Sequence, residues 1–284
     1  MGSMATTTDK PTFARFDATK PSTTPESLIE SIQRDGGVIV ENFISRQLAE
    51  RVKKDLKPHF DSDIPDKSGF FPETTQRATG LFAISDACVE LACNPLYIDV
   101  ANTLCSSSLT YWEREKRVTI YRALQLNILL TPLSDYHPHD KELPVMIGCV
   151  TALTKTTKEN GATIGIPGSH LWGPERRPYD EEAIPAELEP GDSFIFLGNL
   201  YHAGGKNITR NEYRETVGIF LCKPTLRPAE NQFLMVPLDR VRKLKPQAQR
   251  LLGYGVCKPS LGFMNYQDPM KVLFGINDDE TVLM

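Results

Sequence analysis

The sequence predicts a mainly β fold with flanking helices, a double-stranded β-helix of jelly-roll type carried by one domain. Three observations lead there. Helical periodicity is confined to the first third of the chain; apolar, strand-like runs divided by Gly, Pro and Asp follow; and no internal repeat or low-complexity run competes. The 284 residues, 40% of them apolar, are enough to bury one substantial core.

Met1-Gly2-Ser3-Met4 reads as a cloning remnant, and residues 1–24 are expected to form a flexible N-terminal arm before a single domain over 25–284. Thr24-Pro25 is a helix start with proline at the first helical position, and Leu28, Ile29 and Ile32 fall on one face of that helix. Gly36-Gly37 stops it. Val38-Ile39-Val40 then reads as a short buried strand, and Ser45 caps a second helix bearing Leu48, Val52 and Leu56. Residues 85–93 and the stretch from Asn94-Pro95 give two further helices. From Leu109 the character changes, and residues 118–121, 124–130, 145–153, 163–166, 193–197 and 215–221 read as strands.

Composition narrows the function. A net charge of −4 gives no basic stripe for nucleic acid and no polybasic cluster for an anionic membrane. No apolar run reaches the ~20 residues that cross a bilayer, and the polar start lacks the apolar core of a signal peptide. The expectation is a soluble, cytoplasmic chain whose partner is a small molecule or a protein. Six cysteines without a C-x-x-C pair suggest buried free thiols, neither a zinc site nor a disulfide framework.

The informative motifs lie in the second half: Glu159-Asn160-Gly161-Ala162-Thr163, Pro167-Gly168-Ser169-His170, and Leu200-Tyr201-His202-Ala203-Gly204-Gly205, with Arg214 twelve residues after His202. Ser169-His170 is a turn before Leu171-Trp172 and not a nucleophile with its base, because neighbours in sequence do not face each other in a triad and no G-x-S-x-G elbow surrounds them. These motifs, with Gln125 upstream and the segment 246–254 downstream, resemble the phytanoyl-CoA dioxygenase-like Fe(II)/2-oxoglutarate oxygenases of fungal meroterpenoid and alkaloid pathways, over about residues 36–254. The resemblance implies a cupin-like jelly roll.

It also implies an iron site that this chain does not complete. Two histidines and a carboxylate on one face of Fe(II) are needed, and an H-x-D unit on a strand supplies two of them because alternate residues project to the same side. The family carries that unit three residues after a glutamine. Anchored on Gln125, the resemblance puts Ile128 in place of the histidine and Leu130 in place of the aspartate, and neither side chain can ligate a metal. His202 matches the distal histidine; its other reading is a retained core histidine without metal. Gln125, Thr163 and Arg214 match the co-substrate contacts, Arg214 as the guanidinium for the distal carboxylate of 2-oxoglutarate. An ordinary arginine paired with a nearby carboxylate is the alternative.

Two other metal sets are open. His59-Phe60-Asp61 is a literal H-x-D at the end of the second expected helix, where a surface position explains it. Asp135, His137 and His139, in the run Asp135-Tyr136-His137-Pro138-His139-Asp140, share a face if extended and could meet His202, although Pro132 and Pro138 favour a loop. The resemblance therefore implies an accessory, non-catalytic subunit, similar to the iron-deficient half of a heterodimeric member. It would bind no cofactor tightly, leaving Fe(II) and 2-oxoglutarate to a paralogous catalytic partner that acts on a hydrophobic small molecule. The rivals are a self-sufficient iron oxygenase with a relocated triad acting on a terpenoid-like substrate, and a metabolite-binding protein without chemistry. The tail, with Phe263, Met264, Tyr266 and Met270, is apolar enough to pack on another subunit.

Overall fold

The computed structural model describes residues 12–62, 75–106, 119–123, 144–173, 175–257 and 260–277. Local signals set the first elements. Strand β1 (Ala14–Asp17) leads to α1 (Pro25–Asp35), where Thr24 and Ser27 form a capping box and Gly36, at φ 82°, closes the helix in the left-handed conformation. Strand β2 (Gly37–Glu41) follows, then α2 (Arg46–Asp61), capped by Ser45 on the Leu48 amide. Helices α3 (Leu81–Ile84), α4 (Asp86–Ala92) and α5 (Pro95–Ser106) complete the helical third.

The strands are β3 (Thr119–Ala123), β4 (Met146–Ala152), β5 (Thr163–Gly165), β6 (Ile184–Pro185), β7 (Ser193–Leu197), β8 (His202–Gly204) and β9 (Thr216–Cys222). Short helices α6 (Gln232–Met235), α7 (Leu238–Val241), α8 (Pro246–Leu251) and α9 (Pro269–Phe274) end the described chain. Six strands pair in the order β1-β2-β7-β4-β9-β3, and three in the order β6-β5-β8. These are the two sheets of a double-stranded β-helix. Helical residues outnumber strand residues among those described, yet the sheets organise the core.

The period of two explains why the central strands read as unbroken apolar runs. On β7 and β9, Ile195, Leu197, Val217, Ile219 and Leu221 face the helices, while Phe194, Phe196, Phe220 and Cys222 face the smaller sheet. A sheet buried on both faces leaves no polar side to alternate with. Tyr97 of α5 pins the helical layer: its Oη lies 2.9 Å from both the Ile147 and the Ile219 carbonyl oxygens.

The ordered chain starts earlier than the sequence suggests. Instead of a flexible arm up to residue 24, β1 pairs in parallel with β2 from Ala14 opposite Val38, and Phe13 is buried against Phe194 with ring centroids 4.7 Å apart. Four residues give too little periodicity to read locally; their partner strand orders them. Residues 1–11 of the expected arm lie outside the described set.

The six cysteines form no disulfide with one another, as expected, and burial pushes the Cys88, Cys105 and Cys149 thiols up to about 12, so they stay protonated. No helix among the described residues is long and apolar enough to cross a membrane.

Candidate functional site

His202 opens β8, in register with Gly165 of β5, and Thr163 pairs with Gly204 on the same strands. Residues two apart on a strand share a face, so Thr163 is a diagonal neighbour of His202, about 7–8 Å away between Cα atoms. The His202 ring points between the sheets and packs on Phe196, centroids 4.5 Å apart. Its Nδ1 lies 2.7 Å from the Leu200 carbonyl oxygen. Burial away from water holds its pKa below the ordinary histidine value, so the ring is neutral at neutral pH.

Arg214 reaches this face from the residues before β9. Its Nη1 donates to Thr163 Oγ1 at 3.5 Å. Burial lowers the guanidinium to about 10, which still leaves it charged at neutral pH. Near it, Glu215 meets Lys53 at 3.2 Å, and Glu212 accepts from Asn160 Nδ2 at 3.2 Å.

That last contact shows what the Glu159-to-Thr163 motif does. Asn160 also accepts from the Thr157 amide and donates to the Lys155 carbonyl, so it ties its own turn to the loop that carries Arg214. Gly161, at φ 92°, lies against Gly205, whose carbonyl oxygen would be 2.7 Å from any added Cβ. A Cβ on Gly205 would in turn run into the Ala162 carbonyl. Two backbones approach here closely enough that both residues must be glycine.

Pro167-Gly168-Ser169-His170 is a turn, as read. Gly168 has φ 77°, Ser169 Oγ accepts the Tyr201 amide at 2.9 Å, and His170 Nε2 donates to the Gln33 carbonyl at 3.0 Å. Ser169 and His170 are committed to structure, and they set the Tyr201 corner from which His202 projects.

The described residues do not fit Fe(II). His202 could supply one ligand nitrogen, and among the described residues no group of three His, Cys, Asp or Glu side chains could hold a metal ion. His59 and Asp61 do not help, since two residues along an α-helix point about 200° apart; both are exposed, and Lys57 holds Asp61 at 3.0 Å. Gln125, Ile128, Leu130, Asp135, His137 and His139 lie outside the described residues. Thr163 and Arg214 do fit a carboxylate, with a charged fork and a hydroxyl side by side in a half-dry setting.

Sequence reading missed three neighbours. Phe196 sits inside an apolar run with nothing to mark it as the ring against His202. Glu212 and Asn207 lie in a polar loop, where Asn207 Nδ2 donates to the Glu212 carbonyl at 2.8 Å and braces the approach to Arg214.

The chain matches the family model described as Phytanoyl-CoA dioxygenase (PhyH) over residues 32–216. Among curated proteins it is 31% identical to Dioxygenase swnH1 of Arthroderma benhamiae, over 91% of this chain and 92% of that protein. It is also 31% identical to Dioxygenase peniF of Penicillium patulum, over 89% of each. Among solved structures, the non-heme alpha ketoglutarate dependent carbocyclase SnoK from nogalamycin biosynthesis superposes with a TM-score of 0.55 at 14% identity, covering 75% of this chain and 92% of that one. At that identity the likeness speaks for the fold alone.

Proposed function

Because the chain belongs to the phytanoyl-CoA dioxygenase (PhyH) family, we propose that it is the accessory, non-catalytic subunit of a heterodimeric Fe(II)/2-oxoglutarate-dependent oxygenase of fungal meroterpenoid biosynthesis. It binds a paralogous catalytic subunit in the cytoplasm, stabilises it and shapes its pocket for a hydrophobic small molecule. Fe(II) and 2-oxoglutarate belong to that partner. One observation carries the reading: Ile128 and Leu130 stand where the family has ligands, which leaves His202 alone. Thr163 and Arg214 keep their contact as remnants of a co-substrate pocket, with Gln125 as the third such position.

Co-expression with a paralogue that retains all three ligands tests it. Turnover should follow the partner: changing the partner's ligands abolishes it, and His202→Ala in this chain leaves it nearly unchanged. A complex of intact stoichiometry that loses turnover on His202→Ala would sink the accessory role.

A second reading is favoured by the state of His202, whose Nδ1 hydrogen bond to a carbonyl leaves Nε2 free of a proton, as in metal-binding histidines. In it, Asp135 and His137 join His202 in a relocated triad, and the chain is a self-sufficient oxygenase of a terpenoid-like substrate. Iron held by the chain alone separates the two.

A further inference from the structure

The turn from Pro167 to His170 takes no part in the site, yet it joins the elements beside it. It clasps the C-terminal end of α1 twice: the Gly168 amide donates to the Asp35 carbonyl at 2.8 Å, and His170 Nε2 donates to the Gln33 carbonyl at 3.0 Å. It also holds the lead-in to β8, where Ser169 Oγ accepts the Tyr201 amide at 2.9 Å and the His170 carbonyl accepts from Asn199 Nδ2 at 3.2 Å. His202 follows Tyr201 directly. The start of its strand is therefore set by the grip of His170 on α1.

That grip suits only a neutral ring. His170 is 4% exposed, and with its proton on Nε2 the other nitrogen, Nδ1, is buried with no hydrogen-bond partner among the described residues. Nδ1 faces the backbone of Gly36 so closely that a Cβ there would lie 2.6 Å from it, and the Leu200 side chain packs at the same point. A second proton would make an N–H aimed at carbon. The end of a helix favours a cation, and Asp35 draws the proton too, but burial is the larger effect and holds the ring below the ordinary histidine value. Asp35 is the one charged group that acts on the ring among the described residues. Gly36, Gly37, residues 167–169 and residues 197–201 bring no carboxylate, amine, guanidinium or second imidazole. The Asp35 carboxylate, 16% exposed, is bound to Arg34.

We propose that this turn is an acid-released latch: a proton taken up by His170 draws the ring off Gln33 to the carboxylate of Asp35, and the turn lets go of the lead-in to β8. Charge and hydrogen bonding then agree, because an imidazolium donates from both nitrogens and a carboxylate beside Arg34 keeps lone pairs to accept with. The proton comes from solvent and returns to it as pH rises, so the latch closes again near neutrality. Trp172, two residues past His170, moves with the turn: its amide donates to the Ser169 carbonyl, and its ring lies 5.7 Å from that of Tyr201 and beneath Arg176. The inference goes beyond the accessory reading, for it concerns this chain whatever it binds.

Fluorescence of the full chain through mild acid tests it, in a Trp112→Phe background that leaves Trp172 as the only tryptophan. The expected result is a reversible red shift centred below 6.5 and about two pH units wide, as for a single proton, with far-UV circular dichroism flat throughout. His170→Gln, whose amide still donates to Gln33 but cannot titrate, should lose the shift, and Asp35→Asn should move it to lower pH. Hydrogen exchange on the unsubstituted chain reads the same event: corrected for the intrinsic effect of pH, the Tyr201 amide should lose at least about tenfold in protection over that range while the amides of β4 keep theirs. No shift before the chain unfolds overturns the inference, as does a shift that His170→Gln retains or that Asp35→Asn leaves in place. A Tyr201 amide as well protected in mild acid as at neutral pH overturns it too.

Discussion

His202 Nδ1 lies 2.7 Å from the Leu200 carbonyl oxygen, and because a carbonyl only accepts, the ring carries its proton on Nδ1 and presents Nε2 unprotonated. This is the orientation in which backbone carbonyls hold metal-binding imidazoles. Fe(II) oxygenases use a face of three ligands, and among the described residues no group of three possible ligands is present.

The purified chain alone should therefore contain no stoichiometric iron and should not decarboxylate 2-oxoglutarate. Elemental analysis after anaerobic loading checks this. Near-stoichiometric iron that disappears on His202→Ala would promote the relocated triad of Asp135, His137 and His202.

Restoring the missing ligands gives the converse experiment. Ile128→His with Leu130→Asp should create measurable Fe(II) affinity, dependent on His202. Without metal the two polar groups should cost the fold several kcal/mol, so thermal melting with and without Fe(II) reads the outcome. A folded double variant that gains no affinity would show that Gln125 is the wrong anchor.

Arg214 and Thr163 should still bind a dicarboxylate weakly without metal. Since burial lowers the guanidinium only to about 10, affinity for 2-oxoglutarate should be flat through neutral pH and fall as pH rises through about 10. Arg214→Lys should weaken it about tenfold by removing the two-pronged geometry, and Arg214→Met should abolish it. Calorimetry showing equal affinity in the Met variant would remove Arg214 from the pocket.

Acid should destabilise the fold through two histidines. Burial is the largest effect on both His170 and His202 and holds each below the ordinary value of 6.5. Above 6.5 both folded and unfolded forms are neutral. As pH falls below it the unfolded chain binds protons that the folded rings resist, so stability declines, by up to about 1.4 kcal/mol per unit for each ring. The melting midpoint should drop between neutral pH and about pH 5, and drop less in His170→Gln. A midpoint that stays flat or rises on acidification would contradict this.

The sequence by itself determined the elements whose signals are local. Thr24 and Ser45 mark their helices because a cap bonds an amide three residues on, and residues 193–197 mark a strand because both faces of β7 are buried. The turn at Gly168 and the free thiols were legible for the same reason, as were the identities of Ile128 and Leu130. Only the tertiary structure decided that residues 14–17 form a strand, that Phe196 lies against His202, that Arg214 reaches Thr163, and that Gly161 and Gly205 must both lack a Cβ. Each of these joins residues far apart in sequence through strand register or loop approach. Caps and hydrophobic periodicity act over a few residues, so they carry no information about which distant backbone will arrive alongside.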